Sequence, residues 1–76
     1  MVLLQWVGDE AKRVAEFGEC RFVLKKQKRG FSLHGKGKLP PDGGFDVRAG
    51  GAEKAMIDHA ENLASAYAKV TGFASK

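Results

Sequence analysis

The chain has 76 residues, 43% of them hydrophobic, with 13 Lys/Arg, 9 Asp/Glu and a single cysteine. That length accommodates one domain with one core, which buries only about 60% of its unfolded surface, and the lone cysteine excludes an internal disulfide. Cys/His spacings of a structural zinc site are missing, no run approaches the ~18 apolar residues of a membrane span, and the apolar start at Met1 lacks the positive lead of a secretory signal.

In chain order, Val2, Leu4 and Trp6 suggest an opening strand. Residues 9–17 read two ways. Asp9 suits a helix cap, with Val7, Ala11 and Val14 at helical spacing and Gly18 as terminator. As a strand, the same segment would turn Ala15 and Phe17 inward. From Cys20 the pattern alternates: Cys20, Phe22 and Leu24 point one way, Arg21, Val23 and Lys25 the other. Residues 26–30 look like a hairpin tip, after which Phe31 and Leu33 alternate with Ser32 and His34. Gly35-Lys36-Gly37-Lys38 superficially resembles a phosphate loop but lacks its full spacing and following helix, so it reads as an adaptable loop. Residues 40–44 form a turn cluster, and Phe45-Asp46-Val47-Arg48 a short strand before Gly50-Gly51.

The clearest element comes last. From 52 to about 70 there is no Gly or Pro, and Met56, Ala60, Leu63, Tyr67 and Val70 recur at spacings of four, three, four and three. Gly72 is placed to stop that helix. The expected fold is α+β: an antiparallel β-meander of three to five strands, packed on one face by one long C-terminal helix. Its core would comprise Leu4, Trp6, Phe22, Leu24, Phe31, Leu33, Phe45 and Val47 against Met56, Ala60, Leu63 and Tyr67.

Charge is unevenly spread. Residues 1–19 carry a net −2 and residues 42–76 a net −1, whereas residues 20–41 carry +7 with no acid. Arg21, Lys25, Lys26, Lys28, Arg29, Lys36 and Lys38 supply that excess and are the candidate binding residues. Clustered cations are rewarded by phosphates, whose neutralisation releases counterions, although lysines on an exposed strand also serve simply to prevent edge-to-edge aggregation. Catalysis finds little footing: His34 and His59 are the only histidines, and Asp58 and His59, adjacent on a helix, point about 100° apart. Cys20 reads as a small core residue. The expectation is a binding protein without catalytic residues, metal or cofactor, contacting nucleic acid or a nucleoprotein complex through a basic hairpin surface. Its lone cysteine suits a reducing compartment such as the cytoplasm.

Leu4-Gln5-Trp6, the run Ala15-Glu16-Phe17-Gly18-Glu19-Cys20-Arg21-Phe22, Gly30-Phe31-Ser32-Leu33, and a helix bearing Ala55, Ala60-Glu61-Asn62 and Ala64 together form a further pattern. It resembles the small single-domain proteins of bacteriophages and prophages built from a tryptophan-bearing strand, a β-meander and one alanine-rich helix. The likeness covers most of the chain as a pattern of residue types, and the Lys/Gly/Pro stretch at 35–44 departs from it. It implies a strand at residues 15–17 and a phage-type binding protein in a bacterial cytoplasm. The alternative it raises is an anti-CRISPR-like inhibitor of a host defence complex, acting by protein–protein contact.

Overall fold

The computed structural model describes residues 4–39 and 43–72. Five strands and one helix follow in order: β1 (Val7–Gly8), β2 (Lys12–Phe17), β3 (Cys20–Gln27), β4 (Gly30–Leu39), β5 (Gly43–Gly51) and α1 (Glu53–Thr71). The strands form one sheet in sequence order, with every neighbouring pair antiparallel. This is the expected α+β meander with its C-terminal helix.

Residues 9–17 resolve as a turn and a strand. The Asp9 side chain does act on backbone N–H groups, as a helix cap would: its Oδ1 accepts from Ala11 at 2.9 Å and Lys12 at 3.1 Å. Here it closes the β1–β2 turn instead, because β2 has a long partner in β3, from Lys12↔Lys25 to Phe17↔Cys20. A nine-residue helix would have no comparable cooperative support. The opening strand is displaced from expectation: Leu4 and Trp6 precede β1, which is only Val7–Gly8. Val2 lies outside the described residues.

Two further expectations are corrected. The segment 35–38 is not a loop but the second half of β4, and β5 extends through the glycines that were expected to follow it. The reason is steric. Gly35 and Gly37 lie on the helix-facing side of the sheet, where the space a side chain would take is occupied by the Phe22 ring and by the Phe45 ring with Cys20 Sγ. Glycine in these strands is the room that the aromatic rings need. Of the turn cluster, residues 40–42 lie outside the described residues, and Gly43 and Gly44 already belong to β5.

The core lies between the sheet and α1. Phe22, Leu24 and Leu33 are fully buried with Ala15 and Cys20, and the helix supplies Met56, Ala60, Ala64 and Tyr67. Burying each large apolar side chain contributes about 1.5–3 kcal/mol. Trp6, Phe31, Phe45 and Leu63 pack against this cluster only partly buried, and Val70, expected on the packed stripe, is 66% exposed. The helix ends on Gly72 in the left-handed conformation, φ 71°. Its last turns are tied to the sheet through Tyr67, whose hydroxyl accepts the Glu19 N–H at 3.1 Å and whose ring meets Phe17 edge-on at 6.0 Å. At the other end Arg13 of β2 pairs with Glu53 and lies 5.6 Å over the Phe31 ring. Among the described residues no helix is long and apolar enough to cross a membrane.

Candidate functional site

Strand alternation leaves one face of the sheet free of the helix. Cross-strand register builds that face in rows. One row runs Lys12, Lys25, Ser32, Gly50 and another Val7, Val14, Val23, His34, Arg48. A third runs Glu16, Arg21, Lys36, Asp46, and Lys38 stands beyond it opposite Gly44. Lys12, Val23, Lys25, Ser32, His34 and Arg48 line a shallow depression of about 430 Å³ on this open face.

The candidate cations therefore divide. Arg21, Lys25, Lys36 and Lys38 share the open face. Lys26 is on the opposite side, across from Phe31, and Lys28 and Arg29 form the two-residue β3–β4 turn at the end of the sheet. There, Gln27, Lys28, Arg29, Phe31, Gly50 and Gly51 line a second, very open hollow. Two cations on the open face come from the segments whose net charge is negative: Lys12 and Arg48. Summing charge along the chain hid them, because acids elsewhere in the same segments, such as Glu10 and Glu61, cancel them; in the fold Arg13 is held on the helix side by Glu53, and Lys12, one residue earlier, points the other way. Strand alternation over residues 12–17 is the signal that separates the two.

Two like-charge pairs face each other directly, Lys12 with Lys25 and Arg21 with Lys36. Such pairs destabilise a sheet. Nor are they edge protection, since β3 is the central strand of the five. Carboxylates on the face are Glu16, opposite Arg21, and Asp46, opposite Lys36. Asp46 is already engaged: His34 Nε2 lies 2.7 Å from its Oδ1. That hydrogen bond, with the charges of His34, Lys36 and Arg48, holds its carboxyl below the ordinary aspartate value despite some opposing desolvation. The His/Asp pairing forms across β4 and β5 rather than within the helix, where Asp58 and His59 adjoin. Ser32, on the same face, is engaged elsewhere: its Oγ accepts from Gln27 Nε2 at 3.0 Å.

The described aromatic rings lie elsewhere. Phe17, Phe22, Phe31 and Phe45 pack on the helix side. Cys20 is buried, and burial together with the nearby Glu19 charge pushes its thiol up to about 11. Among the described residues no three His, Cys, Asp or Glu side chains are gathered as a metal ion would require. Comparison with family models, characterised proteins and solved structures gives no match, so the site is read from its own geometry.

Proposed function

We propose that this chain is a binding module whose open sheet face engages the phosphates of a nucleic acid. The observation that carries the reading is the pair of like-charge contacts on interior strands, Lys12 with Lys25 and Arg21 with Lys36. The fold gains nothing from them, whereas a polyanion laid across the face relieves both repulsions and releases its own counterions. Lys12, Arg21, Lys25, Lys36, Lys38 and Arg48 outnumber Glu16 and Asp46 there, and Asp46 is turned to His34. With the described phenylalanines packed on the helix side, bases find no stacking partner among them. Contacts of this kind position a nucleic acid without reading its sequence.

The test is fluorescence anisotropy with a labelled DNA duplex over a range of salt, comparing wild type with the triple variant Lys12→Ala/Arg21→Ala/Lys25→Ala. A control variant carries Lys54→Ala and Lys69→Ala on the exposed side of α1. Each lost phosphate contact lowers the slope of log K against log salt by about 0.9, so the triple variant is expected to lose about 2.7 and the control little. Equal slopes for the triple variant and wild type would refute the phosphate reading. Loss of binding to an acidic protein partner, with no DNA binding in wild type, would transfer the same face to protein recognition.

A further inference from the structure

We infer that β5 is a self-recognition strand, through which two copies of this chain join their sheets into one. Strand β5 is a nine-residue edge, whereas the opposite edge is the two-residue β1. Long edges are ordinarily blunted by charged side chains, Lys above all, by Pro or by a bulge; the two charges of β5, Asp46 and Arg48, are of opposite sign and so do not repel a second copy in antiparallel register. Strand β5 carries no Lys or Pro, and its sequence Gly43-Gly44-Phe45-Asp46-Val47-Arg48-Ala49-Gly50-Gly51 is nearly symmetric about Val47.

The backbone directions follow from the ladder. Lys26 donates its N–H to Ala11, so the even-numbered residues of β3 face β2 and the odd-numbered ones face β4. Carrying the alternation across the sheet, the odd-numbered residues of β5 bond β4, and Gly44, Asp46, Arg48 and Gly50 turn their N–H and C=O groups outward. A second copy placed antiparallel with Val47 opposite Val47 sets Asp46 opposite Arg48, and Gly44 opposite Gly50, twice each about the dyad. About eight main-chain hydrogen bonds then close the seam. On the open face each Asp46, its Oδ1 held by His34 of its own chain, presents Oδ2 to Arg48 of the other copy. On the helix side each Phe45 meets Ala49 of the other copy, a large residue against a small one. Phe45, Leu63, Ala66, Tyr67 and Val70 line an apolar notch at this same edge, and the second copy's Ala49 comes against it.

The register is specified by charge. Sliding one copy by two residues, the smallest slip that keeps the faces and hydrogen bonds matched, sets Asp46 opposite Asp46 or Arg48 opposite Arg48. Only centring on Val47 gives two opposite-charge pairs. The dyad is perpendicular to the sheet, so both helices stay on one side and both open faces form a single surface. The pairing neutralises Arg48 and leaves Lys12, Arg21, Lys25, Lys36 and Lys38 to the open face, and it does not depend on what that surface binds.

The test is sedimentation equilibrium of the full chain at concentrations up to about 1 mM, which catches even millimolar association. Wild type is expected at twice the chain mass. Asp46→Arg and Arg48→Asp, each shown folded by circular dichroism, are expected to be monomeric alone, because each places like charges opposite one another at both positions. An equimolar mixture of the two is expected to form a heterodimer, in which both pairs become complementary. Gly50→Pro is a backbone check: it deletes an outward N–H without touching the β4 ladder, and is expected to be monomeric. A monomeric wild type, a mixture that stays monomeric, or a dimeric Gly50→Pro would each overturn the inference.

Discussion

Replacing Gly35 with alanine isolates the steric logic that makes the glycine-rich segment a strand. A Cβ at this position would sit 2.9 Å from Phe22 Cδ1 and 3.0 Å from Cε1, with Leu63 Cδ1 at 3.7 Å. Phe22 is 0% exposed, so the added methyl must shift the ring within the core or separate β4 from α1. Overpacking of this kind costs about 1–3 kcal/mol. Against it stands a gain of about 0.5–1 kcal/mol, because alanine has less unfolded-state entropy to lose than glycine. The net effect is a loss of about 1 kcal/mol, which lowers Tm by about 4–8 °C in a domain of this size. Gly50→Ala provides the opposite sign. Its Cβ would meet only Phe31 O, at 3.6 Å, so the entropy term prevails and Tm rises by about 2–8 °C. Thermal melts followed by circular dichroism at one protein concentration read both. A Gly35→Ala variant as stable as Gly50→Ala would refute the packing argument.

Two further outcomes follow from the titrating groups. The folded-state pKa of Asp46 is lowered, chiefly by its hydrogen bond with His34, so its stabilising effect is present above the ordinary carboxylate range and is lost as pH falls through the folded value. The stability difference between wild type and Asp46→Asn in urea titrations should therefore shrink as pH falls below about 5 and through the ordinary aspartate value of 3.8; a difference that widened over that range would contradict the sign. Cys20, with its thiol raised to about 11 and 2% exposed, should resist a thiol-specific disulfide reagent at neutral pH and react stoichiometrically only when urea unfolds the chain. Fast, complete labelling in native buffer would show that the β3 core opens locally.

Local pattern alone determined the helix and the inward residues of the central strands. The spacing of Met56, Ala60, Leu63, Tyr67 and Val70 predicts a helix over 52–70, and Glu53–Thr71 is one, although Val70 stays exposed. Alternation from Cys20 to Leu24 identifies three core side chains, all buried. Both signals are legible because periodicity of a few residues is written directly in the order of side chains. Pairing was not legible in this way. Gly35 and Gly37 read as loop because the rings that occupy their missing side chains come from Phe22, far back in sequence, and from Phe45 on the next strand. Asp9 looked like a helix cap because a carboxylate accepts the same N–H groups at a helix start and in a turn; the ladder with β3 decided between them.

The binding face shows the same division. The excess of cations in the middle of the chain was evident from composition, but their grouping depended on register. Alternation sent Lys26 to the helix side and the turn took Lys28 and Arg29 to the end of the sheet, while antiparallel pairing delivered Lys12 beside Lys25 and Arg48 beside His34. Electrostatic potential depends on distances through space. A sum of charges along the chain follows that potential only where sequence neighbours remain spatial neighbours, and in a meander the nearest charge across the sheet comes from another strand.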